Sequence, residues 1–122
     1  NAYSTFIARQ LRTPVVLATE KPAAKGDIPL NDDQWNLLMS GLKLVTSAKG
    51  TASAAFALAG YNDFAGKSGT AEDVGAQQHV LFVAMSPASA PRAIAAVVLD
   101  EGQSGSIEAG PIARDIVLTA IK

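Results

Sequence analysis

The sequence predicts an α+β fold: an antiparallel sheet covered by helices. Apolar residues recur at helical spacing over residues 32–47 and again after Gly110-Pro111. Between them, over residues 79–85 (HVLFVAM) and 93–99 (AIAAVVL), the period changes to two. The two period-two runs are joined by SPASAP, residues 86–91, a short proline-bearing link that suits an antiparallel hairpin. The order helix, helix, strands, helix is that of helices layered on one sheet.

Residues 1–30 predict a strand or arm followed by a loop. LRTPVVL, residues 11–17, is apolar and β-branched, and Pro14 confines such a strand to an edge. EKPAAKGDIPL, residues 20–30, carries two prolines and a glycine and reads as loop. Residues 31–60 predict helices. Asn31 and Gln34 have the spacing of a capping box, and Asp32 and Asp33 suit the positive end of a helix dipole. Trp35, Leu38, Met39, Leu42 and Val45 form one apolar stripe, which makes Trp35 and Met39 core residues, and Gly50 stands where the helix would stop. TASAAFALA, residues 51–59, is compatible with helix, and Gly60 ends it. Residues 61–100 predict three antiparallel strands, with KSGTAE joining the hairpin as the third. Both faces of the hairpin strands are apolar, as in central strands covered on both sides. Residues 110–122 predict a C-terminal helix with Pro111 at a tolerated first position and an apolar face of Ile112, Ile116 and Ala120, widened by Val117 and Ile121. No repeat or composition break divides the 122 residues, which suit one domain or part of one.

Composition removes several function classes. There is no cysteine, hence no thiol nucleophile, disulfide or thiolate metal site. The lone histidine, His79, excludes a multi-histidine metal centre, and no cofactor is expected. Net charge is −1 with no basic run, so nothing resembles a nucleic-acid footprint. No stretch approaches the roughly 18 apolar residues of a membrane span.

FAGKSGTAED, residues 64–73, carries the chemistry, and two frames compete for it. Gly66-Lys67-Ser68 could close a phosphate-binding loop, G-x-x-x-x-G-K-[ST], making the chain a nucleotide binder. The first glycine of that motif would fall at Tyr61, whereas Gly60 is one residue early. Gly69 and Asp73-Val74-Gly75 are also poor material for the helix that must follow. In the other frame, Lys67-Ser68-Gly69 continues into Thr70-Ala71-Glu72 as a strand. An ammonium and two hydroxyls along a strand bind a carboxylate through charge-assisted hydrogen bonds. Residues 68 and 70 project to the same side, and Gly69 between them leaves room for a close approach.

The segments GTASAAFALAGYNDFAGKSGTAE, HVLFVAMSP, RAIAAVVLDEG and GPIARDIV follow one another in this order. Together with the Lys-Ser-Gly element they resemble the C-terminal part of the transpeptidase domain of class B penicillin-binding proteins, over residues 11–122. The resemblance implies a partial penicillin-binding, β-lactamase-like fold. It implies a parent protein that cross-links peptidoglycan by serine acyl transfer on D-Ala-D-Ala stem peptides and that β-lactams acylate. Lys67 would tune the site's electrostatics, Ser68 and Thr70 would bind the terminal carboxylate, and the Thr70 N–H would be an oxyanion donor. Ser68 replaces the commoner threonine and keeps its hydroxyl, and Glu72 replaces a frequent glutamine. The resemblance also places the parent at the outer face of the cytoplasmic membrane, anchored by a segment outside this chain.

The family's nucleophile lies in Ser-x-x-Lys, followed by Ser-x-Asn, well upstream of the Lys-Ser-Gly strand. Ser40-Gly41-Leu42-Lys43 matches the first pattern literally but stands too close to Lys67, and no Ser-x-Asn falls between them. At 100° per residue Ser40 lies about 140° from Trp35, off the apolar stripe, and reads as a solvent-facing serine. The chain is therefore expected to be a fragment, inactive alone, that self-associates through sheet surface left open. His79 reads as a structural hydrogen-bonding residue and Asp100-Glu101 as solvated acids. A serine β-lactamase or β-lactam sensor, and a non-catalytic assembly module of the same fold, remain alternatives.

Overall fold

The computed structural model describes residues 2–15, 19–72 and 78–122. The chain forms two compact units, residues 1–36 and 37–122.

In the first unit, α1 (Ala2–Ile7) leads into an antiparallel ribbon of β1 (Gln10–Arg12) and β2 (Ala24–Asp27). Gln10 faces Asp27 and Leu11 faces Gly26, and the register slips before Arg12 meets Ala24. Residues 11–17 were expected as one strand. The ladder instead ends at Arg12, residues 13–15 are irregular, and residues 16–18 lie outside the described residues. The expected loop over 20–30 contains β2, all four residues of which are exposed. It is a strand by pairing, since no apolar pattern marks it. α1 was not foreseen; it stacks Phe6 on Trp35, ring centroids 6.1 Å apart. The Arg9 guanidinium covers Trp35 at 4.6 Å and pairs with Asp32.

Helix α2 (Asp32–Thr46) opens with the capping box the sequence predicts. The Gln34 N–H donates to Asn31 Oδ1 at 2.9 Å, and the Asn31 N–H donates to Gln34 Oε1 at 3.0 Å. Of the expected stripe, Met39 is buried and Trp35, Leu42 and Val45 are half-buried, but Leu38 is exposed. The helix buries Thr46 instead, whose hydroxyl donates to the Phe64 carbonyl at 2.6 Å. Residues 51–56 form successive turns and Ala57–Ala59 one turn of 3-10 helix, not a second α-helix. Gly60 ends them at φ +90°, which favours glycine.

The second unit is built on a three-stranded antiparallel sheet in the order β3-β4-β5: β3 (Ala65–Glu72), β4 (Gln78–Ser86) and β5 (Ala93–Leu99). Gly66 faces Ala84, Ser68 faces Phe82 and Thr70 faces Val80; Phe82 in turn faces Val97. β4 is central, as its all-apolar sequence predicts, but only one face of the sheet is fully covered. On that face Val80, Phe82, Ala84 and Ala95 are buried, and Phe82 stacks on Phe56 at 5.4 Å. On the other, Leu81 and Val83 are half-buried and Ala96 and Val98 exposed, with Met85 buried at one end.

After β5 the chain enters a π-helical turn, Gly105–Ala109, which the sequence did not predict, and then α3 (Gly110–Ala120). The buried side of α3 is the expected one only in part. Val117 is buried and Ile121 packs against the core, as expected, but Ile112 and Ile116 are exposed and Ala113, continuing from Ala109, is buried instead. Small residues at four-residue spacing let the helix axis approach the sheet closely, and this decides which stripe goes inward. With Phe56 and Phe64, these residues close the core.

Candidate functional site

Strand β3 begins just beyond the anchored Phe64. Its first two residues are buried and the next six lie at the surface. Gly66 marks the change. A Cβ there would stand 2.7 Å from the Phe82 ring and 2.7 Å from the Val83 carbonyl oxygen, so only glycine lets β3 lie this close to β4. At Gly69 a Cβ would meet the Leu81 side chain at an ordinary 3.6 Å. Within the chain the tightest packing along β3 is therefore at Gly66, and Gly69 keeps ordinary space on its Leu81 side.

Lys67, Ser68, Gly69 and Thr70 follow in extended conformation, with β3 at the outer side of the sheet. That placement excludes the phosphate-loop frame, because Ser68 continues a strand where the loop requires a helix N-terminus. An edge strand presents unpaired backbone groups along its free side. The register divides the side chains. Ser68 and Thr70 lie on the face of Phe82 and Val80, and Lys67 lies on the open face with Val83. Lys67 is exposed and its Nζ donates to the Ser68 carbonyl at 2.5 Å. Among the described residues no carboxylate pairs with it. An ammonium without a carboxylate partner and two hydroxyls, exposed or half-buried on an open edge, are the elements of an anion-binding wall. Glu72, at the far end of β3, accepts from Gln78 Nε2 at 3.4 Å.

The other candidates do not converge on Lys67. His79 faces Ala71, next to the Thr70–Val80 pair but on the opposite face from the Thr70 side chain, and four residues, about 13 Å, along the ladder from Lys67. Its Nδ1 is 3.8 Å from Asp100 Oδ1, beyond hydrogen-bond range. Asp100 and Glu101 are exposed, and among the described residues no cluster of acids and histidine could hold a metal. Ser40 is exposed on α2 and its hydroxyl donates to the Leu37 carbonyl at 2.7 Å, back-bonded into its own helix. Among the described residues no helix is long and apolar enough to cross a membrane.

Two residues near the wall escaped the sequence reading. Glu108 Oε1 accepts the N–H groups of Gln103 and Ser104, each at 2.7 Å. The Ser104 N–H first, then that of Gln103, hold its carboxyl below the usual carboxylate range. Gly105 packs on the sheet where β3 meets β4: a Cβ there would lie 2.3 Å from the Leu81 carbonyl oxygen and 2.9 Å from that of Gly69. Ser104 and Glu108 are four apart, one more than a capping box, because the π turn takes up an extra residue.

The family model for the penicillin binding protein transpeptidase domain matches residues 1–118. The chain belongs to the penicillin-binding protein transpeptidase family. Solved structures of this family share its fold. Penicillin-binding protein 2 of Pseudomonas aeruginosa, solved in complex with WCK 5153, is 30% identical over 97% of the chain, with a TM-score of 0.75. The transpeptidase domain of Burkholderia pseudomallei penicillin-binding protein 3 is 28% identical over 99%, with a TM-score of 0.71. Penicillin-binding protein 2 of Helicobacter pylori is 25% identical over 90%, with a TM-score of 0.67. The chain spans 28%, 40% and 21% of those three chains. No curated protein matches it.

Proposed function

We propose that this chain supplies the substrate-carboxylate and oxyanion wall of a serine D,D-transpeptidase that cross-links peptidoglycan stem peptides. The reading is supported above all by the position of Lys67-Ser68-Gly69-Thr70, surface-exposed on an edge strand of a penicillin-binding fold. A serine supplied from outside this chain attacks the D-Ala-D-Ala peptide carbonyl. The terminal D-Ala leaves, and an amine of a second stem peptide resolves the acyl-enzyme. Lys67 contributes positive charge, Ser68 and Thr70 donate to the terminal carboxylate, and the Thr70 N–H stabilises the oxyanion. A donor of that kind is worth about 3–4 kcal/mol. β-Lactams present an equivalent carboxylate and acylate the same serine. The parent protein works at the outer face of the cytoplasmic membrane, held by a segment outside this chain. The chain alone is inactive and self-associates through the open sheet face, where Val98 is 58% exposed.

Labelled penicillin tests the reading on the protein that carries this chain. One covalent adduct is expected, on a serine outside residues 1–122. Ser68→Ala should slow acylation roughly tenfold to a hundredfold, the weight of a hydrogen bond to a charged group. An adduct at Ser40 would refute the assignment of the nucleophile. Rapid turnover of a chromogenic β-lactam would indicate a β-lactamase, and absence of any adduct would leave a non-catalytic module.

A further inference from the structure

We infer that Glu108 is a positioning residue for the Lys67–Thr70 wall, acting through the loop that joins β5 to α3. This rests on the function proposed above. After Asp100, the residues Glu101, Gly102, Gln103 and Ser104 carry the chain on from β5 to the π turn. Together with Gln78, Ile107 and Glu108 they line a cavity of about 730 Å³ beside the β4 end of the wall. Polar bonds help to order this loop, and Glu108 accepts two of them with one oxygen, from Gln103 and Ser104.

The loop is fixed at both ends against the strands of the site. The Gly102 N–H donates to the Gln78 carbonyl at 3.1 Å, and a Cβ at Gly102 would stand 2.5 Å from the Val80 side chain. At the other end, Gly105 rests on the carbonyls of Gly69 and Leu81, the pair that carries the middle of the wall. Ser68 and Thr70 flank Gly69 and lie on the face of Val80 and Phe82. The two N–H bonds of Glu108 therefore set where Gly105 presses on β3, and with it the height of both hydroxyls and of the Thr70 N–H. Glu108 touches none of the groups assigned to substrate, so its effect passes through Gly105.

The experiment compares Glu108→Ala and Glu108→Gln in the protein that carries this chain. The glutamine keeps an acceptor oxygen in place, and the alanine removes it. Two quantities are read: the rate of acylation by labelled penicillin and amide hydrogen exchange at residues 67–70 and 103–105. The inference expects faster exchange in both segments for Glu108→Ala, acylation slower by roughly tenfold or more, and near-normal values for Glu108→Gln. Faster exchange at 103–105 alone, with 67–70 and acylation unchanged, would overturn it. Equal loss in both variants would also overturn it, because the charge and not the acceptor geometry would then be at work. If the unsubstituted protein is never acylated, the functional reading fails, while the exchange at 67–70 still decides whether Glu108 orders that strand.

Discussion

The two faces of the β3-β4-β5 sheet carry similar apolar residues and have different fates. On one, Phe82 is completely buried in a core with Phe56, Ala109, Ala113 and Val117, and Val80 is completely buried beside Gly102. On the other, Leu81 and Val83 are half-buried and Val98 is exposed. The contrast teaches that alternation selects strand and register, whereas burial depends on what the rest of the chain lays over each face. The candidate site lies where the faces meet. Lys67 belongs to the open face, and the hydroxyls of Ser68 and Thr70 belong to the covered one, at its margin. One strand thus brings a charge from one side and hydrogen-bond donors from the other to the same free edge.

Substitutions test this contrast. Phe82→Ala should be the most damaging, costing about 3–5 kcal/mol as a cavity opens under Phe56; urea denaturation measures it, and a cost comparable to that of an open-face change would erase the distinction. Gly66→Ala should cost about 1–3 kcal/mol, since its methyl meets the Phe82 ring and the Val83 carbonyl. The same change at Gly69, where the space is ordinary, should be milder. Val98→Thr, on the open face, should stay within about 0.5 kcal/mol and reduce self-association in light scattering. The smallest effect is acid-dependent. The Glu108 carboxyl is held low when folded, so its bonds to Ser104 and Gln103 contribute fully above the ordinary glutamate range and are lost as pH falls through the lowered value. Protection of the Gln103 and Ser104 amides, measured as exchange relative to its intrinsic pH-dependent rate, should be constant near neutrality and fall in acid. Glu108→Gln should lack that fall.

Where local chemistry decides structure, the sequence was legible. The Asn31–Gln34 capping box, the hairpin around 86–91 and a third strand over 67–72, which the structure extends back to Ala65, follow from side chains that bond or pair with near neighbours. Elements defined by distant partners were not. β2 consists of Ala24, Lys25, Gly26 and Asp27, which have no strand preference and are held by β1 alone. α3 offered two apolar stripes, and hydrophobicity favoured Ile112 and Ile116. Closeness to the sheet favoured the smaller Ala113. The proposed wall rests on residue types and spacing visible in Lys67-Ser68-Gly69-Thr70. The bonds from Gln103 and Ser104 to Glu108 were hidden by the extra residue of the π turn.

The close packing of Gly66 and Gly105 has a consequence for how such a wall can change over generations. At both positions any larger residue runs into backbone oxygen atoms, which cannot swing aside as a side-chain tip can. A lineage under pressure to alter ligand preference is therefore steered away from those two codons. The freedom left lies in the hydroxyl-bearing positions, Ser68 and Thr70, and in the exposed Glu101 and Gln103. Drift in specificity should accumulate there while the glycines on either side stay still.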